Sequence, residues 1–191
     1  MKKYILSTAL ALALVTTTFA NPTKPAKREV NTEKSTVTWK AYKVTGSHMG
    51  TINLKSGTLD FDGDKLIGGE FMVDMTSINT TDLEGKSKNK LDGHLKSADF
   101  FAVDEYTTSQ LVFTKVMPAG NDTYKVTGDL MIKGITKPVT FELSVFESKA
   151  TATLKVDRAE YNVRYGSGSF FDNLGDKTIY DEFDLIVDLE F

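Results

Sequence analysis

The chain has 191 residues, a formal net charge of -3, two histidines and no cysteine. The mildly acidic charge argues against nucleic-acid binding, which requires a basic surface, and the lack of cysteine excludes disulfides and a cysteine-linked lipid. His48 and His94 have no partners at metal-ligand spacing, and no nucleophile-elbow pattern is paired with a histidine. We therefore expect no catalytic residues, no metal site and no enzyme.

The first 20 residues have the composition of a secretory signal peptide. Lys2 and Lys3 precede the short apolar run Tyr4–Val15, and Thr18-Phe19-Ala20 supplies the small residues of a cleavage site. Cleavage after Ala20 predicts a periplasmic or secreted protein. No transmembrane segment is expected after cleavage, since the apolar run is too short for a stable anchor.

The rest of the chain divides into an arm and one domain. Residues 21–33 are polar and contain Pro22 and Pro25, a composition typical of a flexible arm. Residues 34–191 make a single domain, which at this size buries roughly 70 % of its unfolded surface. A core of that extent needs no disulfide.

Alternating apolar and polar residues predict strands in the first half of this domain. They cover residues 36–44, 51–61 and 66–75. We expect a turn or a gap at Gly46–Gly50. Asp60–Asp64 is expected to be a hairpin turn, because its spacing does not fit a calcium-binding loop.

The segment between residues 80 and 95 has a different pattern. Its apolar residues become sparse, and Leu91 and Leu95 are one helical turn apart. This predicts a short helical insert across one end of the sheet, with Asp82 as its N-cap and its end near Ser97. The pair Phe100-Phe101 is expected to dock the insert onto the core.

Strands are predicted again in the second half. Residues 109–117 carry apolar residues on both faces, which suits a strand buried on both sides or one near a barrel end. Residues 125–145 form a hairpin with its connection at Gly134–Pro138, and strands follow at 151–156 and 180–191. About eight strands joined by short turns favour an antiparallel sandwich or a closed barrel.

Four segments resemble the polyisoprenoid-binding, YceI-like proteins. They are Val126–Val139 (VTGDLMIKGITKPV), Ser35–Trp39 (STVTW), His94–Phe101 (HLKSADFF) and Val156–Arg158 (VDR), and together they span residues 31–191. The resemblance implies an all-β fold, an antiparallel eight-stranded lipocalin-like β-barrel with a short helical insert. It also implies an elongated apolar interior that holds an isoprenoid, a quinone-like lipid or a fatty amide, with no catalytic set.

The leading hypothesis is a carrier or scavenger of a long apolar lipid, with no cofactor beyond this non-covalently bound molecule. Inward-facing apolar residues and the aromatic pair after the insert are the predicted ligand-binding set: Trp39, Phe71, Val73, Phe100, Phe101, Leu111, Phe113, Leu130, Ile132, Phe141, Leu143, Phe183 and Leu185. His94 is placed at the cavity mouth, and Arg158 or Arg164 is the predicted contact for a polar head group. The partners considered are an apolar lipid and a second copy in a homodimer.

Alternation alone leaves a second hypothesis open, because the same residues also suit an ordinary packed core. In that case the chain is an interaction module with a filled core. Its protein partner docks through the aromatic-rich loop at residues 164–181, which is longer than in the family's common form. A third class, an enzyme acting on a lipid inside the barrel, requires an inward polar residue that the pattern does not offer.

Overall fold

The computed structural model describes residues 25–191. Residues 1–24, which carry the predicted signal peptide and the start of the predicted arm, lie outside the described residues. The elements are β1 (Ala26–Glu29), β2 (Thr36–Lys43), β3 (Gly46–Asp62), β4 (Lys65–Thr80), α1 (Gly85–Lys96), β5 (Thr108–Gly120), β6 (Thr123–Ile132), β7 (Ile135–Phe146), β8 (Lys149–Asp157) and β9 (Ile179–Glu190). Short 3-10 turns lie at Arg158–Tyr161 and Gly175–Lys177. No helix in the described part of the chain is long and apolar enough to cross a membrane.

Strands β2 to β9 form a closed, antiparallel, eight-stranded barrel. Each strand pairs with the next along the chain, and β9 returns to pair with β2. Closure leaves these strands without a free edge. The predicted all-β class and the barrel with one short helix are confirmed.

Because the strands run up and down, successive connections alternate between the two ends of the barrel. One end, called the helix end, carries the β2–β3 turn, residues 81–107, the β6–β7 turn and residues 158–178. The other, called the turn end, carries the three tight turns after β3, β5 and β7.

Strand β1 lies in the segment that the sequence predicts as a flexible arm. It pairs with the second half of β3, from Ala26 opposite Phe61 to Glu29 opposite Thr58, and β2 covers the first half of β3. The Arg28 guanidinium lies 4.2 Å from the Phe61 ring centre. These four residues form a strand and not the predicted flexible arm. The reason is that β3 is longer than β2, so its second half has an unpaired edge to which β1 can bind. The domain boundaries stay a prediction.

Two predictions near the first hairpin and the insert are wrong. Strand β3 is unbroken from Gly46, so there is no turn at Gly46–Gly50. Gly50 is instead needed for packing, since a Cβ there would lie 2.5 Å from Cζ2 of Trp39. Asp82 does not cap the helix, because its carboxylate binds Nδ1 of His48 at 2.9 Å. The helix itself is confirmed.

Two features of the second half also differ from expectation. A β-bulge between Phe113 and Lys115 moves the inward face from one parity to the other, which explains the mixed pattern of β5. The β6–β7 turn consists of Lys133 and Gly134, both at positive φ, as a two-residue hairpin turn requires. Pro138 therefore lies inside β7, at a position where β8, which pairs only from Leu143 onward, is absent.

Gly69 tests how tightly the barrel wall is packed. A Cβ at Gly69 would lie 2.9 Å from Cε2 of Phe113 and 3.1 Å from the Thr58 carbonyl oxygen. We expect Gly69→Ala to lower the free energy of unfolding by roughly 1–3 kcal/mol, measured in urea, because a ring and a backbone must both move. Gly68→Ala is the matched control, since its Cβ meets only the mobile end of Asp60, at 3.1 Å. Equal effects of the two changes would contradict this account.

Candidate ligand cavity

The barrel encloses an apolar cavity of about 120 Å³ at the helix end. Its wall includes residues from six strands, from α1 and from the segment after α1. The predicted residues that line it are Trp39, Val73, Phe100, Phe101, Leu130, Ile132, Phe183 and Leu185. The buried apolar cluster at this end of the barrel thus leaves a cavity between its side chains.

A second apolar cavity, of about 70 Å³, lies next to the first. The predicted residues on its wall are Phe71, Val73, Leu111, Phe113, Leu130, Phe141, Leu143 and Leu185. Val37, Val73, Leu130 and Leu185 line both cavities and therefore separate them. Every predicted ligand-binding residue lines one of the two, and direct contact with a ligand stays a prediction.

Sequence reasoning missed part of the wall. Val37, Ala41 and Met75 also line the helix-end cavity, and they share the parity of Trp39 or Val73, so alternation could have found them. Ile179 and Tyr180 line it from the start of β9, where no periodic signal exists. The wall is consequently broader than the predicted set.

Aromatic rings make the inner wall firm. The Phe113 ring centre lies 5.6 Å from that of Phe71 and 5.8 Å from that of Phe141. Gly57 lets Phe71 lie close to the backbone, since a Cβ there would be 2.8 Å from Cδ1 of that ring. Such contacts fix the relative orientation of three rings that line the second cavity.

Helix α1 and the residues after it cover the helix end. Leu95 and Phe100 are buried, and Phe100 packs edge-on against Phe101 at 5.0 Å between ring centres. Asp92 fixes the helix to the end of β4, because its Oδ1 accepts a hydrogen bond from the Thr80 amide at 2.7 Å and its Oδ2 binds Lys88. Lys88 also donates to Oδ1 of Asn79 on β4 at 2.7 Å, so Asp92 and Lys88 together link the cover to this strand.

This attachment predicts a pH dependence. Burial acts to raise the pKa of Asp92, but hydrogen bonds from Lys88 and Thr80 outweigh it and hold the pKa below its usual range. A lowered pKa means that the stabilisation is present above about pH 4 and is lost as the pH falls further. We expect the protection of the α1 amides against hydrogen exchange, relative to their intrinsic exchange rates, to fall below about pH 4, before that of the barrel strands. Asp92→Asn should lower this protection already at pH 7, and unchanged protection in this variant would contradict the role of Asp92.

His94 lies in α1 in contact with aromatic rings but lines neither cavity, and its place at a cavity mouth stays a prediction. Its ring centre is 4.3 Å from that of Tyr165 and 5.5 Å from that of Phe100. Its Nε2 is buried and finds no hydrogen-bond partner within residues 25–191. These contacts join the helix to the loop that follows β8.

Arg158 cannot meet a head group as the sequence suggested. Its side chain is 3 % exposed, and four of its five N–H groups donate to the carbonyl oxygens of Val163, Tyr165, Ile179 and Tyr180 at 2.8–3.2 Å. The guanidinium is also ion-paired with Asp181 at 3.2 Å. Burial lowers its pKa, and Asp181 and Asp157 oppose that shift. Arg158 thus organises the loop instead of offering free donors.

Arg164, the other predicted head-group contact, lies on the surface. Its guanidinium is 4.9 Å from the Phe170 ring centre, and its Nε donates to Asn162. It does not line either apolar cavity.

The cavity offers little chemistry beyond apolar contact. Tyr161 is fully buried, with the pKa of its hydroxyl raised to about 12 by burial, but it lines neither cavity. Among residues 25–191, no three His, Asp or Glu side chains come together as a metal site. The arrangement is suited to holding an apolar molecule.

Comparison with known proteins agrees with this architecture. A "UPF0312 protein" of Vibrio campbellii is 32% identical over 148 residues, covering 74% of this chain and 73% of the relative. One from Pseudomonas putida is 31% identical over 170 residues, covering 85% and 82%.

Solved structures with the same fold include Burkholderia cenocepacia BcnA, with a TM-score of 0.68 and 23% identity over 84% of this chain and 98% of that one. A polyisoprenoid binding domain from Saccharophagus degradans has a TM-score of 0.61 and 14% identity over 87% and 99%. At such identities these likenesses show the fold alone. A profile of the YceI-like domain matches residues 29–191, and this chain belongs to that family.

Proposed function

We propose that this protein is a periplasmic or secreted carrier or scavenger that binds a long apolar lipid inside its barrel without catalysing a reaction. The observation that carries the proposal is the pair of adjacent apolar cavities, about 120 and 70 Å³, beneath the cover formed by α1. The name of the Saccharophagus degradans domain, which describes polyisoprenoid binding, supports the ligand class. The signal-peptide pattern supports the compartment.

Burial of hydrocarbon supplies the binding free energy. Each CH₂ group removed from water contributes about 0.8 kcal/mol, so a modest chain binds tightly without polar contacts. A dry apolar cavity of roughly 150 Å³ holds benzene, so the helix-end cavity holds a piece of comparable size. A longer chain enters the second cavity when the dividing side chains, among them Val73, Leu130 and Leu185, rotate aside.

Native mass spectrometry of protein purified from its own host tests the proposal. We expect a population that is heavier than the bare chain by the mass of one lipid, released as that lipid under denaturing conditions. Release shows that the molecule is not covalently attached. Protein that carries no lipid, and that also fails to bind added isoprenoid, would contradict the proposal.

A second candidate function rests on the loop at residues 164–181. Tyr165, Phe171 and Tyr180 are each about half exposed there, which favours contact with another protein. The two cavities favour the lipid carrier over the filled core of the earlier alternative. Phe170→Ser with Phe171→Ser should abolish binding of a protein partner with little change in melting temperature. The homodimer also stays a prediction, which sedimentation at several concentrations tests.

A further inference from the structure

Four aromatic rings and one valine are exposed on adjoining segments of the helix end, on a surface called the aromatic face. The Val44 amide donates to the Thr178 carbonyl at 3.2 Å, and the Ile179 amide donates to the Gly166 carbonyl at 2.8 Å. These bonds tie the β2–β3 turn and the loop after β8 to the start of β9. The side chains of the aromatic face are between 39 % and 52 % exposed: Val44, Tyr165, Phe170, Phe171 and Tyr180.

The aromatic face adjoins the helix-end cavity. Tyr180 belongs to both, since it lines the cavity and is about half exposed to solvent, and its neighbour Ile179 also lines the cavity. The loop that carries Phe170 and Phe171 is held beside them, because the Ser169 hydroxyl donates to Oδ2 of Asp181 at 2.6 Å. A surface bound at the aromatic face therefore lies next to the space proposed for the ligand.

Helix α1 brings positive charge to the aromatic face. The His94 ring centre lies 4.3 Å from that of Tyr165, so helix and loop are in contact. Along α1, every residue of which is described, the exposed positions include Lys86 and Lys90 but no acidic residue. The carboxylate of Asp92 is turned to β4, where it accepts from the Thr80 amide. Neither exposed lysine is hydrogen-bonded or ion-paired within residues 25–191, so both charges are available to a partner.

The turn end has the opposite charge. Each of its three turns, all within the described part of the chain, carries one exposed carboxylate and no cation: Asp64, Asp122 and Glu147. The helix end as a whole carries both signs. Its exposed carboxylates lie outside the outer side of α1: Asp82, Glu84, Asp99, Asp104, Glu105, Glu160, Asp172 and Asp176. An anionic surface is therefore attracted to the outer side of α1 and repelled by the turn end.

We propose that the aromatic face and the outer side of α1 together dock onto an anionic phospholipid bilayer. The inference rests on the proposed function, because a long apolar lipid resides in bilayers rather than in water and its carrier must meet one. Aromatic rings enter the boundary between head groups and acyl chains, and lysines attract anionic head groups. The second candidate function places a protein on the same loop, but the adjoining cavity and the basic helix favour a bilayer.

Flotation with lipid vesicles tests docking of the protein purified from its own host. One set of vesicles consists of phosphatidylcholine, and the other contains about one third phosphatidylglycerol as the anionic lipid. We expect binding to the anionic vesicles to be about tenfold tighter or more, since each lysine near such a surface contributes severalfold. Added salt should reduce this preference, because it screens the charges.

Two lysine variants test the role of α1. Lys86→Gln with Lys90→Gln should remove most of the preference for anionic vesicles. The matched control is Lys115→Gln with Lys125→Gln, which removes the same charge from exposed positions on β5 and β6 and should keep the preference. Equal losses in the two variants would mean that net charge, rather than this side of α1, directs the binding, and would overturn its assignment.

Two aromatic variants test the rings. Phe170→Ser with Phe171→Ser should weaken binding to both kinds of vesicle by about tenfold or more, because less apolar area enters the bilayer. Phe146→Ser is the matched control, since that ring is 66 % exposed at the turn end and should not contribute. Melting temperatures should change little in either variant, as the rings are exposed.

The outcomes separate docking from carriage. A protein that yields copurified lipid in native mass spectra but floats with neither kind of vesicle overturns docking and leaves the carrier function intact. A protein that floats as expected but neither carries nor binds lipid overturns the carrier function and leaves the docking face in place. Loss of flotation in Phe146→Ser alone overturns the assignment to the helix end. Self-association or a copurifying protein that is lost in the Phe170 and Phe171 variant, without any vesicle binding, assigns the face to a protein and also overturns docking.

Discussion

Arg158→Ala should lower the free energy of unfolding by roughly 3–5 kcal/mol. The reason is that the guanidinium is buried and bound on every side. Its removal leaves Asp181 without its partner cation and strips donors from four carbonyl oxygens of the loop between residues 163 and 180. Each of these groups then loses a partner without gaining full access to water.

Urea unfolding followed by circular dichroism measures the change. At this chain length the loss corresponds to a fall of about 10 °C in melting temperature. Arg164→Ala is the matched control, because that side chain is exposed and should change stability by less than about 0.5 kcal/mol.

Arg158→Lys adds a test of the geometry. A lysine keeps the charge but has three donors at a single atom, so it can reach only part of the carbonyl set. We expect it to recover less than half of the loss. Full recovery would mean that charge alone matters, and a loss no larger than that of Arg164→Ala would refute the organising role of Arg158.

The strands were predictable because alternation records which face of a strand points inward. Phe141 and Leu143 alternate with Glu142 and Ser144, and both lie on the cavity wall. Alternation does not record what lies across the barrel. Whether Phe141 meets another side chain or open space depends on volumes contributed by residues far away in the sequence, so the cavities needed coordinates.

The alternation of apolar and polar residues also does not predict the roles of individual residues outside the apolar face. Arg158 looks like any loop arginine until β9 brings Asp181 and the Ile179 and Tyr180 carbonyls around it. Gly50 resembles a turn residue, yet it is part of a continuous strand because Trp39 requires the space. Both cases depend on contacts between different strands, which local sequence rules do not describe.

Ala41→Phe should empty the helix-end cavity of lipid and leave the barrel folded. Ala41 is a small side chain on the cavity wall, opposite Phe183 in the pairing of β2 with β9. A phenylalanine there points into existing space of about 120 Å³, so it fills the cavity without the strain that follows from overpacking a solid core. The ligand loses the volume that its chain occupies.

We expect copurifying lipid to be absent in native mass spectra of this variant, with affinity for the isoprenoid hydrocarbon farnesene at least tenfold weaker. The free energy of unfolding should change by less than about 1.5 kcal/mol.

Ile186→Phe is the matched control. It adds a phenylalanine ring on β9 at a position that is 39 % exposed on the outer surface, and this variant should retain lipid. Val73→Phe places the same ring at a residue that lines both cavities, so it provides a second test if Ala41→Phe does not fold. If folded Ala41→Phe and Val73→Phe proteins both keep lipid at the level of the unsubstituted chain, the ligand lies outside the barrel.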